Sequence, residues 1–212
     1  RAGYPRNIYQ NRFKSVETYN HDILKENGLK PDTKIAIYAP TFREKTPKNF
    51  LYNAIKDIDR LSQSLEKSNT CLIIKLHPEI SNDFYFKTLS ESTDRYKNII
   101  LWDNQKDIYE IFNKIDLAIV DYSSIYYDLL AAGVKNFIRY IFDYEDEKHI
   151  MIYDYEDHTT GDICKNFDEL LSSVERYSER SDDLDSERIK QLFWSYDDGN
   201  SFDNIIDQTL NF

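Results

Sequence analysis

The sequence has little cysteine, little glycine and no long apolar run. Cys71 and Cys164 are its two cysteines, far apart and in unlike surroundings. Two thiols build neither a disulfide framework nor a four-thiolate zinc site. They are expected as packed thiols in a reducing compartment. Five glycines leave no glycine-rich linker, and neither a G-x-G-x-x-G fingerprint nor a phosphate-binding P-loop occurs. The chain order of a Ser-His-Asp hydrolase is missing as well. Dinucleotide oxidoreductases and P-loop NTPases are thereby set aside. No stretch approaches the ~20 apolar residues that span a bilayer; Leu117-Ala118-Ile119-Val120 is typical of the longest aliphatic runs. Positive charge is scarce: 27 basic against 38 acidic residues give a net charge of −11. That excludes a general nucleic-acid binder and adsorption on anionic lipid through this part of the chain. A local basic pocket for a small phosphate ligand stays open. No signal peptide is visible, the first residue is Arg1, and Gly3-Tyr4-Pro5-Arg6 is turn-like. The sequence therefore reads as a piece of a longer protein.

What is present is core material, 41% hydrophobic and 15% aromatic over 212 residues. The length suits one domain, or at most one domain with a helical tail. Short β-rich runs alternate with helical patterns. Strands are expected at Lys34 to Ala39, Cys71 to Leu76, Asn98 to Trp102, Leu117 to Val120 and Asn136 to Ile141. Between them, Phe50 to Lys67 carries Ile55, Ile58, Leu61 and Leu65 at helical spacing. Further helices are expected at Ser81 to Ser92, with Ser81 as N-cap, at Asp107 to Lys114, and at Ser123 to Ala132, which Gly133 would close. This alternation predicts an α/β fold: a Rossmann-like open parallel sheet with flanking helices, binding ligands at the carboxyl ends of its strands. After about residue 165 the pattern turns helical, at Asn166 to Tyr177, Asp185 to Phe193 and Phe202 to Leu210, with Ser178 to Ser186 as a solvated connection. The expected organisation is residues 1–30 as an interdomain connection and helix, 31–165 as the Rossmann-like domain, and 166–212 as helices packing on that domain.

Four segments place polar residues directly after buried strands: Ala39-Pro40-Thr41-Phe42-Arg43, Lys75-Leu76-His77-Pro78, Asp121-Tyr122-Ser123-Ser124, and the loop from Phe142 to Gly161. A parallel sheet brings all four to one edge. A helix starting at Ser123 or Ser124 offers free N–H groups and the positive end of a dipole, an anion site suited to phosphate. The plainer alternative is a serine that caps the helix. Arg43 could grip a phosphate bidentately or lie on the surface beside Glu44 and Lys45. His77 could donate to a phosphate oxygen, or be satisfied by local backbone. Asp128 lies one helical turn after Ser124, where it could accept from a ribose hydroxyl or face solvent. His21, His149 and His158 lack metal-ligand spacing and are expected to be structural. The acidic run Asp143 to Glu147 is expected as a solvated loop, and the tyrosines as core and rim contacts.

In one order, Gly3 to Asn7, Tyr38 to Arg43, Leu76-His77-Pro78 and Asp116 to Asp128 resemble the nucleotide-binding half of the CDP-glycerol glycerophosphotransferase family, the teichoic acid and capsule polymerases. Tyr140 to Tyr144, Tyr153 to Gly161 and Asp198-Gly199 fit the same pattern. The resemblance implies the C-terminal half of a GT-B-type glycosyltransferase with two Rossmann-like halves and a cleft between them. It implies a CDP-linked polyol donor, which is a substrate and not a cofactor, and a polymer or lipid-linked acceptor. The other half would carry the acceptor site, a histidine base and the membrane contact, so this piece would bind donor without turnover. The whole protein would be cytoplasmic, peripheral at the inner face of the membrane. Asn7 is followed by Ile8, Asn136 replaces a proline, and Thr160-Gly161-Asp162 replaces Pro-Gly-Pro. The last change lies near the donor and leaves the polyol and base open.

The reaction so implied is attack of an acceptor hydroxyl on the phosphorus bearing the polyol, with release of CMP. CMP is a good leaving group, so stabilising developing negative charge matters more than protonation. Arg43 and His77 are assigned to the pyrophosphate as charge stabilisers. Ser123, Ser124 and the helix N-terminus are assigned to phosphate oxygens, Asp128 to the ribose, Asp121 to orienting the turn, and Thr41 to the substrate. No cluster has the spacing of a dedicated metal site, which favours metal-independent transfer. The alternatives are a nucleotide-sugar-dependent glycosyltransferase of the same architecture and a non-catalytic nucleotide-binding module.

Overall fold

The structure, a computed structural model, describes residues 22–43, 50–77, 84–91, 95–147, 154–179, 183–194 and 200–210. Gly3 to Asn7, His21, Pro78, Ser81, His149, Tyr153 and Asp198-Gly199 lie outside the described residues. Six strands form one sheet: β1 Lys34–Tyr38, β2 Thr70–Ile74, β3 Ile99–Leu101, β4 Leu117–Val120, β5 Asn136–Tyr140 and β6 Asp162–Cys164. Their spatial order is β3-β2-β1-β4-β5-β6, and every pairing is parallel. The order reverses between β1 and β4, the point at which open α/β sheets form their ligand crevice.

Side chains alternate to two cores, so the strands are apolar on both faces, as a sheet covered by helices on each side requires. Ala36, Tyr38, Leu72, Ile74, Leu117 and Ile119 join one core with Leu61, Leu65, Phe167 and Val174. Ile35, Ile37, Ile73, Ala118 and Val120 join the other with Phe112, Tyr126, Leu129 and Ile189.

The expected helix over Phe50 to Lys67 is two helices, Phe50–Ala54 and α1, Ile58–Lys67. The side chain of Asp57, extended at φ −148°, accepts from the Arg60 amide and starts α1 as a new helix. Ile108–Lys114 winds as a 3₁₀ helix. Helix α2 spans Ile125–Ala132 and ends in left-handed Gly133, as expected. Strand β6 has no counterpart in the sequence reading. It begins after Gly161, whose φ is +98° and where a Cβ would stand 2.0 Å from the Phe137 carbonyl oxygen. The span expected as a loop to Gly161 contains short helices at Tyr144–Glu147 and Tyr155–His158. Helix α3, Phe167–Arg176, lies in the first core. Helix α4, Asp183–Trp194, starts inside the expected solvated connection; Ser186 there is buried and the Trp194 indole N–H donates to the Tyr127 carbonyl at 2.9 Å. Helix α5 spans Ser201–Leu210. Among the described residues, no helix is long and apolar enough to cross a membrane.

Candidate functional site

The loops after β1, β2, β4 and β5 leave the same edge of the sheet, and Asp121 ties the first and third together across the reversal point. Asp121 is buried. Its carboxylate accepts from the Thr41 amide through both oxygens at 2.9 Å and from the Thr41 hydroxyl at 2.8 Å. It also accepts from the Ser123 amide at 3.1 Å and from Arg43 at 2.8 Å. Its own carbonyl accepts from the Tyr155 hydroxyl at 2.8 Å. Burial pushes the Asp121 carboxyl above its ordinary range, against the pull of Arg43 and the Thr41 donors.

Arg43 reaches this edge but turns inward, with its side chain fully buried. Nε and Nη2 donate to Asp143 at 2.6 and 3.2 Å, Nη2 also donates to Asp121, and Nη1 donates to the Thr41 carbonyl at 2.9 Å. The guanidinium also lies over the rings of Phe50 and Tyr122. Two carboxylates hold it firmly protonated in spite of burial. Neither sequence alternative, phosphate grip or surface arginine, describes this placement. Asp143, read as part of a solvated run, is instead half-buried and paired with Arg43. A pair separated by 100 residues leaves no local signal.

Ser123 and Ser124 sit where the sequence places them, ahead of α2. Ser124 is the N-cap residue but makes no side-chain capping bond. Among the described residues neither hydroxyl has a hydrogen-bond partner, and the amides of Ser124 and Ile125 have no acceptor. The helix therefore begins with unsatisfied donors facing the crevice edge. Tyr126 and Tyr127 amides close the first turn onto the Ser123 and Ser124 carbonyls at 3.1 Å.

His77 is exposed two residues beyond the last ladder contact of β2, its ring 5.5 Å from that of Phe42 after β1. Asp128 is buried one turn inside α2 and accepts from the Tyr109 hydroxyl at 2.6 Å. The structure thus brings Thr41, Arg43, Asp121 and Ser123 into one bonded group, with Ser124 adjacent. His77 stands on the neighbouring loop, and Asp128 lies deeper, paired with Tyr109. His158 is held locally, its Nδ1 2.8 Å from the Asp154 carbonyl oxygen.

The model of the CDP-glycerol:poly(glycerophosphate) glycerophosphotransferase family matches residues 1–211. A teichoic acid poly(glycerol phosphate) polymerase of Bacillus spizizenii is 26% identical over 219 residues, covering 99% of this chain and 52% of that protein. The teichoic acid ribitol-phosphate polymerase TarK of Staphylococcus aureus is 29% identical over 181 residues, covering 82% of this chain and 33% of that protein. Among solved structures, a variant of the wall teichoic acid polymerase TagF soaked with CDPG superposes with a TM-score of 0.69 at 23% identity, covering 98% of this chain and 49% of that one. The chain spans about half the length, or less, of these relatives.

Proposed function

Because this chain belongs to the CDP-glycerol:poly(glycerophosphate) glycerophosphotransferase family, we propose that it is the donor-binding, C-terminal half of a polyol-phosphate transferase extending a teichoic-acid-like or capsular polymer. The observation that carries this reading is the start of α2. Two serine hydroxyls and two amides stand without acceptors among the described residues, at the carboxyl edge of a sheet whose order reverses there. Such a constellation suits phosphate. The CDPG-soaked relative of the same fold supports a cytidine diphosphate linkage.

In this mechanism an acceptor hydroxyl attacks the phosphorus carrying the polyol. The polyol phosphate passes to the acceptor and CMP leaves. Ser123, Ser124 and the α2 N-terminus hold phosphate oxygens, and His77 faces the diphosphate from the β2 loop. Thr41, Asp121 and Arg43 act beneath them, fixing the two loops against each other. The ribose would meet Asp128 with its partner Tyr109, one turn inside α2. The acceptor hydroxyl and its base belong to the other half of the enzyme, which would also meet the membrane at its inner face.

The test is calorimetric titration of the chain with CDP, CDP-glycerol, UDP and GDP at one ionic strength. CDP binding clearly tighter than UDP or GDP is expected. Ser124→Ala should then weaken CDP by roughly 1 kcal/mol, the net worth of one hydroxyl among several donors. Preference for UDP or GDP would replace this reading with a nucleotide-sugar glycosyltransferase, and no binding at all would overturn the donor role.

A further inference from the structure

Resting on that donor-pocket reading, we infer that Lys75, at the end of β2, supplies the positive charge that meets the diphosphate opposite the α2 N-terminus. A nucleoside diphosphate brings several negative charges into the crevice, and the arginine nearest to it has none to spare. Arg43 faces two carboxylates, Asp121 and Asp143, so that group is net negative before any ligand arrives. Arg139, which points from β5, donates to the Gly161 carbonyl and to Thr159.

Lys75 differs from both. Its amide still belongs to the ladder, donating to the Tyr38 carbonyl at 2.9 Å, so its backbone position is fixed by the sheet. Ile74 and Leu76 on either side pack into the first core. Strand alternation therefore sends Lys75 to the opposite face, with Ile73 and Val120, the face that α2 covers. The register ends on the pair Tyr38 and Ile74, so Lys75 stands one residue past it, beside the end of β1 at the reversal point. Its ammonium is half-buried and donates to the Leu76 carbonyl at 2.9 Å, and among the described residues no carboxylate pairs with it. A half-buried lysine without a counter-ion is held below the ordinary lysine range by desolvation. A phosphate would restore the missing partner. Lys75 is thus a cation fixed by the sheet, on the correct face and with no carboxylate partner among the described residues, whereas Arg43 is a structural cation.

The chain is titrated with cytidine, CMP and CDP as wild type, Lys75→Gln, Lys75→Met and Lys75→Arg, and urea unfolding of each variant is followed in parallel. Lys75→Gln and Lys75→Met should weaken CDP by about tenfold, the worth of one hydrogen bond to a charged group. CMP should lose less and cytidine nothing, while Lys75→Arg keeps most of the affinity for CDP. The graded loss separates charge from shape. Equal losses for cytidine and CDP, or CDP affinity unchanged in a folded neutral variant, would overturn the role of Lys75 and leave the donor reading standing. A wild-type chain that binds no cytidine nucleotide would overturn that reading, and Lys75 with it.

Discussion

At the scale of the residue, the charge arrangement at Arg43 decides what the site is made of. A buried arginine between two aspartates stabilises little in net terms, because desolvating three charges offsets their attraction. Removing the central cation is another matter. In Arg43→Ala, Asp121 would keep the Thr41 amide and hydroxyl and the Ser123 amide as donors, and Asp143 only the distant Tyr122 hydroxyl, among the described residues. The expected cost is about 3–5 kcal/mol, read as a shift of the urea midpoint. Asp143→Asn should cost less, because the Asp143 side chain is 15% exposed and water can replace part of the pairing. Arg43→Lys should recover only part of the loss, since one ammonium cannot span Asp121, Asp143 and the Thr41 carbonyl at once. An Arg43→Ala chain as stable as wild type would show that the Thr41–Asp121 bonds join the β1 and β4 loops without the guanidinium. By contrast, Ser123→Ala and Ser124→Ala should leave stability within about 0.5 kcal/mol, because neither hydroxyl makes a bond among the described residues.

At the scale of the element, Asp57 shows what the sequence conceals and what it reveals. Its carboxylate caps α1 through the Arg60 amide at 3.0 Å. Asp57→Ala should therefore destabilise the chain by about 1 kcal/mol, measured as a change in midpoint with unchanged slope. The apolar spacing from Leu51 through Ile55, Ile58, Leu61 and Leu65 runs through this break. Both short helices bury residues in the same core, so periodicity alone cannot separate them. The cap residue was the available signal, an aspartate one position ahead of an apolar stripe. The other elements divide in the same way. Strands β1, β2, β4 and β5 are legible because buried parallel strands read as continuous β-branched and aliphatic runs. Strand β6 is not, because Asp162-Ile163-Cys164 is three residues long and owes its place to Gly161 passing tight against Phe137. At the site, Ser123 and Ser124 are legible because small polar residues directly follow a buried strand and precede a helix. The Arg43–Asp143 pair is not, since it is made across the sheet edge by residues whose neighbours in sequence say nothing of each other. Lys75 was hidden in plain view within the Lys75-Leu76-His77-Pro78 segment, and only the strand register shows which face it takes.

At the scale of the whole molecule, the two cysteines report on how the sheet comes apart. Cys71 lies in β2, flanked by β1 and β3, in a strand buried along its whole length. Burial pushes its thiol up to about 12. Near pH 8 almost none of it is thiolate, and the thiolate is the reactive form. Cys164 lies in β6 at the edge of the sheet, where one neighbour, β5, holds it through three paired residues. Its thiol donates to Ser173 of α3 at 3.3 Å, so exposing it requires β6 to leave α3 and β5. Local opening draws on elements with few neighbours and short ladders, and β6 has both. In the native chain at pH 8, iodoacetamide should modify neither cysteine within the time that a free thiol reacts. As urea rises toward the midpoint, Cys164 should be labelled first, with Cys71 following only at the global transition, as read by peptide mass spectrometry. Simultaneous labelling would mean that β6, Gly161 and α3 open only with the central strands. The site edge would then be part of one cooperative unit, and substitutions at Arg43 would be felt as far as the outer strand.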